Sequence, residues 1–464
     1  MSKSAVISAL EKIAGRANLL TSPEDLVAYS TDGTSAGQLP LAVVTATSPG
    51  MVAEVLKYAS RQRLPVTPRG SGTSLSGGAV PDPGSLVLSL SRLNRIREIN
   101  PVNLTATVEA GTVTARLQQE AEKLGLYYPP TPVSYRQSTV GGNIATNAGG
   151  ITGVKYGTTR DYVLGLEVVL ASGEIVRTGG AVMKMVTGYN LAQLLVGSEG
   201  TLAVVTGATL RLIPKPKSFA SVMASFARLE EAAQAVNRIL TSGLLPCSIE
   251  LMDRLTIRAV EDYLHLGLPT EAEAIILVGM DGTAESVVEE TRQAAALCRE
   301  MKAIRVETAA TPAENEALWR ARNSIGGAYG RLAPNKGNQD ISVPREAMVA
   351  MIRASQEIAA RHGLPMAMAG HLGDGNLHPV VLYDESRPEQ VAAMHAIVDE
   401  VINQAIRLGG MPSAEHGLGT LKRQFLRPAL DPRAVALMRD IKHLFDPLNI
   451  LNPGKVFPNG EGGT

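Results

Sequence analysis

Segment 138–150, Ser-Thr-Val-Gly-Gly-Asn-Ile-Ala-Thr-Asn-Ala-Gly-Gly, limits the folding of this chain more than any other feature. It carries no charge and consists of small residues throughout. Two further loops that contain glycine, 68–78 and 155–163, lie on either side of it. Because glycine lacks a Cβ and reaches positive φ, such segments bring backbone N–H groups close to an anion or a flat ligand. Three of them predict a long, polyanionic, partly planar cofactor.

Two familiar phosphate-binding patterns do not fit segment 68–78. Gly72 and Gly77 have the spacing of a P-loop, but Gly78 stands where that motif requires lysine. A dinucleotide-binding turn needs a helix next, and Pro81 and Pro83 preclude that helix. Taken alone, the segment is also compatible with a plain surface loop.

Composition excludes several classes of protein. The 464 residues contain 44 Lys and Arg and 44 Asp and Glu, so no basic surplus exists to bind a nucleic-acid backbone. The only two cysteines are Cys247 and Cys298, whereas an iron–sulfur cluster usually takes four cysteine thiolates. The start of the chain lacks a signal-peptide pattern, and no apolar run reaches the ~18 residues of a membrane span. We therefore expect a cytoplasmic protein.

The order of elements predicts an α+β fold. Short strands fit 41–46, 64–68, 85–90 and 105–111, a helix fits 112–124, and further strands fit 163–170 and 201–213. Segment 211–218, with two prolines and two lysines, is the best linker candidate. Beyond it, strands alternate with helices: strands fit 218–226, 247–253, 274–282 and 304–308, and helices fit 229–242, 254–264 and 284–301. This alternation predicts a ferredoxin-like sheet with helices on one face.

Three of the seven histidines form a candidate metal site. Asp374-Gly375 predicts a two-residue hairpin turn, which would pair His371 with His378 on one side of the hairpin. Directly opposed residues have Cβ atoms about 4.5–5.5 Å apart, so both imidazoles could reach one ion. Two polar hairpin residues are the alternative. The pair Glu415-His416 adds a carboxylate, and two His with one Glu and open positions form a catalytic metal set. A turn at Gly417 must let Glu415 and His416 converge.

These motifs resemble the FAD-linked D-2-hydroxy-acid dehydrogenases, which have the FAD fold of vanillyl-alcohol oxidase. The matching segments are RGSGTSLSGG, TVGGNIATNAGG, YGTTRDYVLGLEVVLASGE, HLGDGNLH and EHGLG. The resemblance implies an FAD-binding domain at 1–217, a cap domain for the substrate at 218–410, and a C-terminal segment 411–464 that returns to the FAD domain.

The resemblance also implies roles for individual residues. His371, His378 and Glu415 would bind a divalent ion (zinc, iron, manganese or cobalt), and His416 would be the catalytic base. Arg322 of the Trp319-x-x-Arg322 motif would grip the substrate carboxylate; without the resemblance it reads equally well as a surface arginine. No histidine lies in the first two flavin segments, so we expect non-covalent FAD. The implied FAD-binding residues are Pro68, Arg69, Gly70, Ser71, Gly72, Thr73, Ser74, Gly77, Pro130, Ser138, Gly141, Gly142, Ala145, Asn147, Gly149, Gly153, Tyr156, Gly157, Gly200, Val204 and Asn452.

The expected activity is FAD- and metal-dependent oxidation of a small D-2-hydroxy acid. Dicarboxylate-specific relatives add a hydroxyl and a lysine where this chain has Gly326 and Asn338, which favours D-lactate or glycolate over D-2-hydroxyglutarate. Lys336 could substitute for that lysine. Reduced FAD would pass electrons to an electron-transfer flavoprotein, an iron–sulfur subunit, a quinone or oxygen, and a homodimer is left open. Two other classes remain: a non-redox enzyme of the alkylglycerone-phosphate synthase type, and a binding module without catalysis.

Overall fold

A computed structural model describes residues 2–34 and 37–457. The chain divides into two compact units. The first unit comprises the chain up to Gly150, Gly157–Lys215, and the chain from Glu415 onward. The second unit comprises Ile151–Tyr156 and Pro216–Ala414. Throughout the described ranges, every helix is too short or too polar to traverse a lipid bilayer.

The first unit begins with a four-stranded sheet. Its strands lie in the order Leu19–Leu20, Ala42–Thr45, Leu86–Ser89, Val66–Arg69. The last three are parallel and their residues are mostly buried, as expected for strands covered on both faces. Helices Lys3–Ala14 and Pro49–Gln62 supply apolar residues to this core. The second of these helices begins at its Ser48 cap, whose hydroxyl accepts from the Met51 N–H.

A five-stranded antiparallel sheet completes the first unit. Its order is Ile96–Asn100, Thr105–Glu109, Val204–Arg211, Val163–Val169, Ile175–Gly179. Glu167 is buried in this sheet and accepts from Arg97 at 3.1 Å and Arg177 at 2.8 Å. The remaining helices of this unit are Arg16–Asn18, Pro23–Val27, Thr114–Glu122, Val140–Thr146, Thr159–Tyr162, Leu191–Leu195, Arg423–Phe425, Leu426–Ala429 and Pro432–Phe445, and a small sheet pairs Leu126–Tyr127 with Ile213–Pro214.

Part of the uncharged segment is helical rather than loop. The helix Val140–Thr146 begins at Thr139, whose hydroxyl accepts from the Gly142 N–H at 3.2 Å. A Cβ at Gly141 would lie 2.7 Å from the Ala110 Cβ, so glycine is needed for the helix to pack against the neighbouring sheet. Asn147, at φ 51°, ends the helix. The small residues therefore permit close packing as well as ligand approach.

The second unit is built on an eight-stranded antiparallel sheet. Its order is Arg305–Ala309, Ser218–Phe226, Ala274–Gly282, Ser248–Asp253, Met366–His371, Asn376–Tyr383, Asn335–Asn338, with Ile341–Ser342 also paired to Asn376–Tyr383. The first four strands lie in the ferredoxin-like order. The helices are Gly153–Tyr156, Leu229–Thr241, Arg254–Leu264, Ala284–Glu300, Pro312–Asn323, Ile325–Tyr329, Arg345–Ala347, Met348–Arg361 and Pro388–Arg407.

Helices cover both faces of this sheet, so the expectation of one covered face is wrong. Met223 and Ile275 point towards helices Arg254–Leu264 and Pro312–Asn323, with which they share one apolar core. Alternate residues of the same strands point the other way. Helices Leu229–Thr241 and Ala284–Glu300 contact the strands there. The helix Pro312–Asn323 is held on its face of the sheet by Trp319, which packs in that core and whose indole N–H donates to Ser221 Oγ at 2.9 Å.

Candidate active site

A cavity in the first unit is lined by parts of the glycine-rich segments. Of the residues expected to bind FAD, the cavity wall contains Pro68, Arg69, Gly70, Ser71, Gly72, Thr73, Ser74, Gly141, Gly142, Ala145, Gly149, Gly200 and Val204. The structure thus brings together, within one unit, stretches that are far apart in the sequence. Glu415 and His416 line the same cavity.

The side chain of Arg69 supports the first glycine-rich loop through hydrogen bonds to backbone carbonyls. Its guanidinium is buried and donates to the Ala79 carbonyl at 2.9 Å and the Ala28 carbonyl at 3.4 Å. Gly72, at φ +74°, passes so close that a Cβ there would overlap the Arg69 guanidinium. Burial lowers the pKa of Arg69, and the nearby Asp32 carboxylate and Tyr29 oppose that effect. The buried Arg69 side chain therefore ties the loop to the carbonyls of Ala79 and Ala28.

Other expected FAD residues lie off the cavity wall and have structural partners. The Gly77 N–H donates to Asp32 at 2.8 Å, and Asn147 Oδ1 accepts from the Arg160 N–H at 2.9 Å. The Pro130 carbonyl accepts from Gln118, and the Ser138 carbonyl accepts from Thr114. A Cβ at Gly157 would overlap Asp161. The Asn452 side chain donates to the carbonyls of Gly78 and Glu199. Gly153 and Tyr156 belong to the second unit, where the Tyr156 hydroxyl donates to Asp281 at 2.7 Å.

The residues of the cavity fit FAD. The walls are made mainly of glycine, alanine, serine and threonine, so backbone can approach a flat ring system and a pyrophosphate. Next to this wall, Asn452 Oδ1 is buried and accepts no hydrogen bond from the described residues. A buried acceptor of this kind ordinarily has a donor partner, which the ring N–H of a flavin would supply.

Glu199 is the main cavity residue that the sequence reasoning missed. It is 8% exposed, and its carboxylate accepts from the Leu418 N–H at 2.7 Å and the Gly419 N–H at 2.8 Å. Burial raises the pKa of Glu199, and the two N–H groups and Lys422 oppose this rise. The available signal was a single acid placed between glycines, in Gly197-Ser-Glu-Gly200.

Glu415 and His416 both reach the cavity because the chain bends there. Gly417 has φ 82°, and neither residue lies in a strand, so the strict alternation of strand side chains does not apply. Glu415 Oε1 lies 3.7 Å from His416 Nε2. A Cβ at Gly149 would lie 2.8 Å from Glu415 Oε2, which places this carboxylate directly against the uncharged segment. The chain bends at 414–416 and Gly417 is in the left-handed conformation, so the chain changes direction where convergence of the two side chains requires it.

The second unit carries the histidine hairpin, in a different register from the expected one. His371 pairs with Asn376 and His378 pairs with Ala369, so the connection has four residues, 372–375, and the prediction of a two-residue turn is wrong. The connecting loop is longer than two residues because its backbone bonds to other segments. The Val343 N–H donates to the Gly375 carbonyl at 3.0 Å, and the Gly373 N–H donates to the Ile249 carbonyl at 3.4 Å.

The two histidines still share a face of the hairpin. The observed register differs from the expected one by two residues, and side chains alternate with a period of two. His371 and His378 are therefore diagonal rather than direct neighbours, with ring centroids 5.2 Å apart. The two imidazole rings therefore remain near neighbours on one face of the hairpin.

Glu250 connects His371 to Arg322. It lies opposite His371 on the adjacent strand, with Oε1 2.6 Å from His371 Nδ1 and Oε2 2.6 Å from Arg322 Nε. Burial by itself raises the pKa of Glu250, but the charges and hydrogen bonds of His371 and Arg322 outweigh it and lower the pKa to about 2. Sequence reasoning missed Glu250; the available signal was an acid in the middle of the apolar strand Ser248–Asp253.

Asp340 adds a buried carboxylate beside His378. Its Oδ1 lies 4.0 Å from His378 Nδ1, and its Oδ2 accepts from Ser413 Oγ at 2.6 Å and the Ala414 N–H at 2.9 Å. Asp340 and His378 offer an oxygen and a nitrogen donor of the kinds that a divalent transition-metal ion binds.

Comparisons with known proteins identify the family of this chain. A model of the C-terminal domain of FAD linked oxidases matches residues 215–456, and a model of an FAD binding domain matches residues 40–179. The glycolate oxidase subunit GlcD of Bacillus subtilis is 42% identical over 97% of this chain and 96% of its own length. The D-lactate dehydrogenase of Anaerostipes hadrus is 37% identical over 90% and 89%. The D-2-hydroxyglutarate dehydrogenase of Xanthomonas citri pv. viticola is 36% identical over 99% and 98%.

Solved structures share the fold at low sequence identity. p-Cresol methylhydroxylase matches with a TM-score of 0.80 and 19% identity, over 99% of this chain and 98% of its own. Alkyldihydroxyacetonephosphate synthase matches with a TM-score of 0.75 and 16% identity, over 98% and 85%. The family models and relatives show an FAD-linked oxidoreductase, and its fold is of the vanillyl-alcohol-oxidase type. Within that class, the chain belongs to the FAD-linked oxidase family that includes the 2-hydroxy-acid dehydrogenases.

Proposed function

We propose that this protein oxidises a small D-2-hydroxy acid, D-lactate or glycolate, to the 2-oxo acid with FAD and one divalent metal ion. The observation that carries the proposal is that His416 and Glu415 line the same cavity as the glycine-rich segments. A candidate base therefore stands beside the candidate flavin site within one unit. The identities to glycolate oxidase GlcD and D-lactate dehydrogenase support the same substrate class.

The proposed roles follow from the chemistry of the side chains. Arg322 binds the substrate carboxylate, since a guanidinium pairs with carboxylates through two parallel hydrogen bonds. The bond from Arg322 Nε to Glu250 fixes the plane of that guanidinium. His416 accepts the proton of the substrate hydroxyl as general base. Bound FAD would supply the hydride acceptor that oxidation of the substrate Cα to the 2-oxo acid requires.

The proposed metal ligands are His371, His378 and Glu415. A bound divalent ion lowers the pKa of a coordinated hydroxyl and thereby eases its deprotonation. Glu250 supports this assignment because a metal-binding histidine commonly hydrogen-bonds a carboxylate through its other ring nitrogen. Asp340, close to His378, is a further candidate oxygen donor.

D-2-Hydroxyglutarate is the second candidate substrate, and one contact favours it. Lys336 Nζ donates to the Gly326 carbonyl at 2.9 Å, which places a cation beside the helix that follows Arg322. That cation could pair with a distal carboxylate. The identity to a D-2-hydroxyglutarate dehydrogenase points the same way.

The decisive experiment is anaerobic reduction of the flavin in the purified protein by a panel of acids. We expect bleaching by D-lactate or glycolate, with one divalent ion per chain by metal analysis. Absence of bleaching by every 2-hydroxy acid would contradict the proposal and favour a non-redox enzyme of the alkylglycerone-phosphate synthase type.

We also propose that a protein accepts the electrons, either an electron-transfer flavoprotein or an iron–sulfur subunit. The chain has only two cysteines, both buried and free, and the Bacillus subtilis relative is named as a subunit. Fast turnover of the isolated chain with oxygen alone would instead identify an oxidase that needs no such partner.

A further inference from the structure

The loop that follows His416 is held from two sides within the first unit. On one side, Ser76 Oγ donates to the His416 carbonyl at 2.9 Å, and the Ser76 carbonyl accepts from the Thr420 N–H at 2.9 Å. On the other side, the Glu199 carboxylate accepts from the Leu418 and Gly419 N–H groups at 2.7 and 2.8 Å. The backbone that carries His416 is thus fixed by two residues of the cofactor-binding part of the unit.

Glu199 itself is rigidly placed. Its N–H donates to the Ala145 carbonyl at 2.7 Å, and its carbonyl accepts from Asn452 Nδ2 at 2.8 Å. Its backbone has φ +51°, a left-handed conformation that is unfavourable for a side chain of this size. Glycine would adopt this conformation without strain, so the presence of glutamate indicates a requirement for its carboxylate.

We propose that Glu199 is a positioning residue that holds the His416 loop in register with the flavin cavity. The inference rests on the proposed role of His416 as the base. Each carboxylate oxygen receives one backbone N–H, so the bidentate grip fixes both the distance and the rotation of the loop. A space-filling role would not require a buried acceptor pair, because an apolar side chain of similar volume would fill the same space at lower desolvation cost.

The test is Glu199→Gln in the FAD-loaded protein. The amide keeps the shape but offers one acceptor, and its NH₂ group faces an N–H that it cannot bind. We expect faster hydrogen exchange at Leu418 and Gly419, by about tenfold or more. We also expect the rate of flavin reduction per bound FAD to fall about 10- to 100-fold, since small misplacements of catalytic groups cost about that much. The concentration of acid that gives half-maximal reduction and the FAD content should change little.

Two further variants separate positioning from stability. Glu167→Gln removes a buried carboxylate of the five-stranded sheet and should lower stability without changing either the exchange of the loop or the reduction rate per flavin. Ser76→Ala removes only the hydroxyl contact to His416 and should slow reduction in the same direction by a smaller factor. Ser76→Ala also provides the test should the glutamine variant fail to fold.

The outcomes are distinguishable. Unchanged exchange of the loop in Glu199→Gln would overturn the inference, and so would faster exchange with a normal reduction rate per flavin. If no 2-hydroxy acid reduces the wild-type flavin, the proposed function fails, and the exchange comparison alone then decides whether Glu199 anchors the loop.

Discussion

Glu250 Oε1 lies 2.6 Å from His371 Nδ1, across two neighbouring strands of the second unit. The other oxygen of the same carboxylate lies 2.6 Å from Arg322 Nε. One buried acid therefore orients both a proposed metal ligand and the proposed carboxylate clamp. Metal binding and substrate binding should accordingly weaken together when this acid is changed.

Glu250→Gln should weaken metal binding and substrate binding together. The amide retains the volume but loses the charge that both partners bind. We expect metal affinity to fall about 10- to 100-fold, the usual effect of losing the partner of a metal-binding histidine. KM for the hydroxy acid should rise. Equilibrium dialysis of the metal and steady-state kinetics at saturating metal measure the two effects. Glu54→Gln, an exposed exchange, is the control and should change neither.

The lowered pKa of Glu250 predicts how stability depends on pH. The folded protein holds this pKa at about 2, below its ordinary value of 4.5. The ionised group therefore contributes stability that is fully present above pH 4.5 and is lost as the pH falls towards 2. In chemical unfolding of the metal-free protein, the difference in unfolding free energy between wild type and Glu250→Gln should shrink over that interval. A difference that grows on acidification would contradict this.

His371→Ala should lose the metal ion and retain FAD. The substitution removes one proposed ligand in the second unit, whereas the flavin cavity belongs to the first unit. Metal analysis and the flavin spectrum on the same preparation test both statements. Unchanged metal content would remove His371 from the ligand set. Simultaneous loss of FAD and metal would indicate a structural role instead.

His416→Asn should retain FAD and metal but slow flavin reduction about 10²- to 10⁴-fold, the usual contribution of a general base. Anaerobic single-turnover reduction at saturating substrate measures this rate without interference from the electron acceptor. His395→Asn, a histidine on the helix Pro388–Arg407, is the matched control. A near-normal rate in the His416 variant would exclude it as the base.

The preferred size of the substrate should depend on Gly326, Lys336 and Asn338. Asn338 carries no charge, and burying a carboxylate without a charged partner is costly. We expect kcat/KM for D-lactate or glycolate to exceed that for D-2-hydroxyglutarate by about tenfold, which is ~1.4 kcal/mol. Lys336→Ala should leave this order unchanged. A higher value for D-2-hydroxyglutarate that disappears in Lys336→Ala would instead identify Lys336 as the distal clamp.

The sequence predicted the secondary structure well where apolar patterns were strong. The strands Ser218–Phe226 and Ala274–Gly282 and the helix Arg254–Leu264 have the expected bounds. The hairpin turn was wrong because contacts to Val343 and Ile249, remote in sequence, outweigh the local preference of Asp374-Gly375. The prediction that the two histidines share a face of the hairpin was nevertheless correct, since a register shift of two residues preserves side-chain direction.

Residues whose role depends on distant partners could not be predicted. Glu250 and Glu199 each look like an isolated acid in an apolar or glycine-rich stretch. Their importance comes from His371 and Arg322 in one case and from the Leu418 and Gly419 amides in the other. No local pattern encodes such pairings, because they arise only when strands and loops from separate parts of the chain assemble.

Substitutions at Arg69 and Gly72 are coupled during evolution. The buried guanidinium occupies the volume that any side chain at position 72 would need, so a substitution there must displace the guanidinium or be accompanied by a shorter residue 69. Shortening residue 69 in turn leaves the carbonyls of Ala79 and Ala28 without their donor. Each single step is disfavoured, and laboratory libraries that randomise this loop should recover the arginine and the glycine together or lose both.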